Sequence, residues 1–150
     1  MGEPIATASA IINLVERFED NAADFYQKLA QKYPKNRETF LSFAEESKKN
    51  KVLVVRTYRE TITDALEACF SFEGLNPKDY EAKVSPSEKT NLSEALKMAI
   101  ELEDKASKFY IKVADLSNLL ATIPAAFRKV AQKRNNRKQA LESLLDKAAA

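Results

Sequence analysis

One stretch near the C-terminal end restricts the fold more than any other: FRKVAQKRNNRKQALESL, residues 127–144. Phe127, Val130, Arg134, Arg137, Leu141 and Leu144 recur at alternating spacings of three and four, and positions so spaced stack on one face of an α-helix. Four of the six are apolar, so this is a face that a helix buries. The two in the middle are arginines. A solvated arginine needs no explanation, but an unpaired charge on a buried seam is very costly. The rest of the chain is read as what surrounds these two side chains.

Three more stretches carry the same period. Ala8, Ile11, Val15, Phe18, Ala22, Phe25 and Leu29 predict a first helix from about Ala6, ended by Tyr33-Pro34 because the residue before proline disfavours helical dihedrals. Phe40, Phe43, Ser47, Asn50, Val54, Thr57 and Thr61 predict a second, flanked by Ala44, Tyr58, Ile62 and Ala65, with Asn36 as its cap and Glu38 in its first turn. Ser47 and Asn50 are again polar residues on a seam. Ala95, Ala99, Leu102, Ala106, Phe109, Val113 and Leu116 predict a third helix, opened by Asn91 or Ser93, with Leu92 and Leu96 adding bulk. A break near residues 118–124 precedes the fourth, from about Ile123 to Lys147, with Pro124 suited to its first turn. Helices of roughly 25 residues are about 40 Å long.

Between the second and third helices, residues 69–91 lose the pattern. Gly74, Pro77, Pro86 and the capping residues Asn76, Ser85 and Ser87 mark a long connection with a short helical turn around residues 77–82. In an all-helical chain such a connection crosses the bundle, so that the helices it joins run parallel. The expected fold is therefore an all-α four-helix bundle in a single domain spanning 1–150.

Composition narrows the chemistry. With 150 residues, 45% apolar and 31% charged, the chain is long and apolar enough for a folded core. Gly2 and Gly74 are its only glycines, which leaves little room for phosphate-cradling loops. There is no histidine. That removes Ser-His-Asp and Cys-His catalysis, histidine-built zinc sites and most acid–base chemistry near neutral pH. Cys69 is the only cysteine, so no internal disulfide can form, a reducing, cytoplasmic setting is expected, and inert packing is its expected role. No apolar run approaches the roughly 20 residues of a membrane span. The start of the chain lacks the pattern of a signal peptide, and Ala6 stands where a myristoylation signal wants Ser or Thr. The net charge of +2 gives no general argument for nucleic acid. The basic runs at residues 48–51 and 128–138 have Glu45, Glu46 and Glu142 nearby and half face the core, so they read as solvated helix faces rather than a nucleic-acid surface.

The two halves of the chain resemble each other. FEDNAADFYQKLA (residues 18–30) aligns with LEDKASKFYIKVA (residues 102–114), matching Glu19 with Glu103, Ala22 with Ala106 and Phe25-Tyr26 with Phe109-Tyr110. The following helices match more weakly, Phe40 with Phe127, Ala44 with Ala131, Ser47 with Arg134 and Asn50 with Arg137. A repeat of helix pairs sets Glu19 and Glu103 across a pseudo-two-fold axis, facing the layer of Ser47, Asn50, Arg134 and Arg137.

At these residues the chain resembles the ferritin-like superfamily, and most closely its rubrerythrin-type di-iron domain. The resemblance rests on E-x-x-A-x-x-x-Y at Glu19-Ala22-Tyr26 and again at Glu103-Ala106-Tyr110, each followed by a helix opening F-x-x-x-A, at Phe40-Ala44 and Phe127-Ala131. It covers about residues 8–146. Such sites take a Glu from each of two helices and Glu-x-x-His from each of the other two. Carried over, Glu19 and Glu103 match the lone metal-binding glutamates, and Tyr26 and Tyr110 match tyrosines near the metals. The Glu-x-x-His pairs fall on Ser47 and Asn50, and on Arg134 and Arg137. Four of the six ligand positions have therefore lost their ligands, and no cysteine-rich rubredoxin module accompanies them. What the resemblance implies is a ferritin-like domain whose di-iron centre is gone.

Elementary electrostatics agrees. Arginine keeps its proton in proteins, and two guanidiniums repel a cation. Two carboxylates and two guanidiniums sum to zero. The expectation is a core network in which Glu19 and Glu103 pair with Arg134 and Arg137, with Ser47, Asn50, Tyr26 and Tyr110 as hydrogen-bond partners. No metal, no cofactor and no catalytic residue is expected. The expected role is structural or binding, as a homodimer by analogy with the family, without nucleic acid or membrane. A small anion at Arg134 and Arg137 is the ligand such a pocket invites. The competing expectation is a rubrerythrin-like oxidoreductase, peroxide-scavenging or ferroxidase, using an atypical carboxylate site in which Glu45 and Glu46 are the spare donors.

Overall fold

The computed structural model describes residues 8–61, 75–82, 84, 86–116 and 122–149. Among them the chain is all-helical, with α1 (Ala8–Lys32), α2 (Arg37–Thr61), α3 (Leu92–Leu116) and α4 (Thr122–Ala149), and short 3-10 turns at Pro34–Asn36 and Pro77–Tyr80. The features expected at Gly2, Ala6, Ile62, Ala65, Cys69, Gly74, Ser85 and Asn118 lie outside the described residues.

Local chemistry sets the ends. Tyr33 N–H still reaches Leu29 O at 2.9 Å, and Pro34 then stops α1. Asn36, expected as the cap of α2, is the last residue of the 3-10 turn and immediately precedes Arg37, the first residue of α2. Of the two caps expected for α3, Asn91 fills the role. Its Oδ1 accepts from Glu94 N–H at 2.8 Å while Glu94 Oε1 accepts from Asn91 N–H at 3.3 Å, a reciprocal capping box. The approach to α3 is tied to the end of α1. Lys32 Nζ donates to the carbonyls of Ser87 and Thr90, and Tyr33 OH donates to Thr90 O at 2.6 Å.

Contacts fix the directions of the helices. Asn50 meets Glu19 while Phe40 and Phe43 meet Tyr26, so α1 and α2 are antiparallel. Lys138 meets Asp104 while Phe127 meets Tyr110, so α3 and α4 are antiparallel too. Tyr110 reaches Glu19 and Tyr26 reaches Glu103, which makes α1 antiparallel to α3. It follows that α2 and α3 point the same way.

The apolar core falls into two blocks. One gathers Ile11, Val15, Val54, Phe109, Val113 and Phe127. The other gathers Phe25, Leu29, Phe40, Leu96, Ala99 and Leu141. Leu75 is fully buried in the first block and Tyr80 packs edge-on against Phe109 at 5.7 Å, so the connecting chain contributes to the core as well. Phe18 and Phe109 meet edge to face at 5.0 Å, a geometry that adds about 0.5–1.5 kcal/mol beyond burial. Between the two blocks every helix turns a polar side chain inward.

A candidate functional site: the buried Glu–Arg layer

The layer comprises Glu19 from α1, Ser47 and Asn50 from α2, Glu103 from α3, and Arg134 and Arg137 from α4, all buried. It brings together every residue the sequence assigned to it. Glu19 and Glu103 stand one residue beside the apolar stripes of their helices. On α3 that offset is visible, since Glu103 is fully buried whereas its stripe neighbour Leu102 is only half-buried. Phe43 and Thr57, expected on the seam of α2, are likewise half-buried.

Arg134 is the hub. Its Nε donates to Glu103 Oε1 and its Nη1 donates to Glu19 Oε2 at 2.7 Å, so one guanidinium bridges the two carboxylates. Arg137 lies across the layer. Its Nη1 donates to Ser47 Oγ at 2.8 Å and stands 3.5 Å from Glu103 Oε2. Its Nε donates to Glu46 Oε1 at 2.7 Å. The Arg137 guanidinium also lies 5.8 Å from the ring centres of Tyr26 and Phe43, within reach of their π faces.

The tyrosines pair crosswise. Tyr26 of α1 donates to Glu103 of α3, and Tyr110 of α3 donates to Glu19 of α1. Each hydroxyl is held neutral. Burial, reinforced by the adjacent carboxylate, raises the Tyr26 and Tyr110 pKa values well above 10. Burial by itself would weaken the hold of Arg134 on its proton, but Glu103 and Glu19 outweigh it and raise its pKa.

This arrangement leaves no room in the chemistry for a cation. Glu19 Oε2 accepts from Arg134 and Tyr110, and Oε1 accepts from Asn50 at 3.4 Å. Glu103 Oε1 accepts from Arg134 and Oε2 from Tyr26. The lone pairs that a di-iron centre needs are turned toward guanidinium and phenol donors. The donor set of the layer therefore does not fit the metal centre of ferritin-like proteins, and among the described residues no group of three or more His, Cys, Asp or Glu is placed to hold a metal ion. Among the described residues, three buried side-chain polar atoms are without a protein partner: Asn50 Oδ1, Arg134 Nη2 and Arg137 Nη2.

Sequence reasoning missed one member. Glu46, counted only as a spare carboxylate, is the ion-pair partner of Arg137 at the rim of the layer. The available signal was its position beside Ser47, which faces the same guanidinium. Glu45, the other spare, points outward and meets Lys48. The basic runs meet acids as well. Lys51 pairs with Asp20, Arg128 with Asp115 and Lys138 with Asp104.

Compared with protein-family models, with curated proteins and with solved structures, the chain gives no significant match in any of the three.

Proposed function

We propose that this protein is a ferritin-like, rubrerythrin-type domain in which a Glu–Arg ion-pair layer replaces the di-iron centre, and that it acts as a metal-free structural or binding module rather than as an enzyme. The observation that carries the reading is the bridging of Glu19 and Glu103 by Arg134. The guanidinium stands between the two carboxylates that, by resemblance, would each hold a metal.

Three further observations support it. The crosswise bonds Tyr26–Glu103 and Tyr110–Glu19 are what a pair of repeated helix hairpins facing each other across a two-fold axis would make. The parallel course of α2 and α3 suits a crossover connection between the halves. The polar layer sits at mid-height, between two apolar blocks, where bundle proteins build their metal sites. The four fully buried charges, Glu19, Glu103, Arg134 and Arg137, cancel, and Glu46 adds a partner for Arg137 at the half-buried rim. The resemblance also carries self-association with it, which light scattering on the purified chain decides.

The test is to reinstate the lost ligands. The fourfold variant Ser47→Glu, Asn50→His, Arg134→Glu, Arg137→His restores a Glu-x-x-His pair to α2 and to α4. On this reading it folds on addition of ferrous or manganous ion and retains about two metal ions per chain. A folded variant that retains none contradicts the ferritin-like assignment.

A further inference from the structure

Charge is divided unevenly among the helices. Over residues 47–59, α2 holds five basic side chains and no acidic one, and over residues 122–141, α4 holds six and no acidic one. The two stretches lie side by side, since Ser47 meets Arg137 and Val54 shares the first core block with Val130. The pairing is antiparallel, so Lys49 and Lys133 stand at one level. Lys129 lies one turn and Arg56 two turns further along the same face.

Most of the other cations in these stretches are already answered. Arg134 and Arg137 are buried against their glutamates, Lys48 pairs with Glu45, Lys51 with Asp20, Arg128 with Asp115 and Lys138 with Asp104. Arg59 stands on the α1 side of α2, beside Glu16 and Glu60. Lys49, Arg56, Lys129 and Lys133 are left on the α2–α4 face, at least half-buried to exposed and without an ion-pair partner among the described residues. Glu46, the acid within that face, is held by Arg137, and Glu60 stands at its end. Lys129 and Lys133, one turn apart, are about 6 Å from each other, inside the screening length of about 8 Å at physiological salt, so their fields add.

The face is also apolar at one spot. Val52 and Leu53 each lie three or four positions from both Lys49 and Arg56, and so share their side of α2. Leu53 packs down on the first core block. Val52, 54% exposed, is the most exposed large apolar side chain among the described residues. A phosphate backbone gains nothing from such a spot, and no aromatic residue occurs in 49–56 or 128–138 on which bases could stack. An acidic helix with an apolar stripe uses both features.

We propose that the α2–α4 face is a docking surface for an acidic amphipathic helix of a partner protein, its carboxylates meeting Lys49, Arg56, Lys129 and Lys133 and its apolar residues covering Val52 and Leu53. The proposal goes beyond the reading above and does not rest on a lost di-iron centre, so metal tests and docking tests fail separately.

The experiment is fluorescence anisotropy of the full chain with four labelled probes. The first is a helical peptide with leucines at alternating spacings of three and four and glutamates on both sides of them. The second has glutamine for every glutamate, the third has serine for every leucine, and the fourth is a short duplex DNA. The first is expected to bind saturably and at least about tenfold more tightly than each of the others. Lys49→Glu combined with Lys133→Glu is expected to weaken that binding at least about tenfold, whereas Lys112→Glu, on the exposed side of α3, is expected to change it less than about twofold. Comparable binding of the serine peptide would leave only unspecific charge attraction and overturn the proposal, and comparable binding of the glutamine peptide would overturn it from the other side. Tighter binding of the DNA would make the face a nucleic-acid surface and overturn it too, as would no saturable binding of the first peptide. The four probes are compared on the unmodified chain, so their ranking decides the matter even if a variant fails to fold.

Discussion

Replacing Arg134 by methionine isolates the central interaction. The side chains are similar in length, so packing is largely kept while the charge and its donors are removed. In the native protein Arg134 contacts Glu19 and Glu103, and all three side chains are inaccessible to solvent. The two carboxylates are not left equally exposed to the loss. Glu103 keeps Arg137 at 3.5 Å and the hydroxyl of Tyr26. Glu19 keeps only neutral donors, Tyr110 and Asn50, because Arg134 is the cation it contacts among the described residues. Stranding a buried carboxylate in this way costs about 3–5 kcal/mol. For a chain of this length that lowers Tm by roughly 10–16 °C. Urea denaturation followed by circular dichroism measures the loss directly. The asymmetry gives a stricter check. In the Arg134→Met background, Glu19→Gln is expected to recover more stability than Glu103→Gln, since Glu103 still has Arg137 beside it. A loss below about 1 kcal/mol, the range of exposed pairs, would refute the reasoning. So would equal rescue by the two glutamines.

Other consequences can be checked alongside. Tyr26→Phe and Tyr110→Phe each leave a buried carboxylate oxygen short of a donor and are expected to cost about 1–3 kcal/mol by the same denaturation assay. Their pH dependence has a fixed sign. The folded-state pKa values of both tyrosines are raised above the ordinary value near 10. Stability from this source is full below pH 10 and falls as pH rises further, because the unfolded chain releases those protons first. The slope is about 1.4 kcal/mol per pH unit for each tyrosine, so either phenylalanine variant is expected to lower the alkaline slope measured by urea titration above pH 10 by about that amount. Ser47→Ala strands the Nη1 of Arg137 on one side and is expected to cost about 1–2 kcal/mol, whereas Glu45→Ala, on an exposed pair with Lys48, is expected to stay within about 0.5 kcal/mol of native.

Much of this layer was legible in the sequence, for a simple physical reason. The helical period assigns a face to every residue, and a charged residue on an apolar face has to be answered. Arg134 and Arg137 stood out on that ground, as did Ser47 and Asn50. What the period cannot convey is which acceptor each donor takes. That Tyr26 serves the carboxylate of the other half, or that Arg134 bridges both glutamates while Arg137 turns partly to Glu46, depends on the distance and rotation between helices. Glu46 was passed over because it lies at the edge of its helix, where a side chain can point either way.

The most direct test of the ion-pair layer is metal analysis of the purified protein, before and after incubation with ferrous iron in the absence of air. No retained iron or manganese is expected in either sample, because the carboxylates that would bind them are held by Arg134. Retention of about two metal ions per chain, the loading of an intact di-iron site, would contradict this, and would mean that the arginines leave the layer and that peroxidase chemistry belongs to this protein after all.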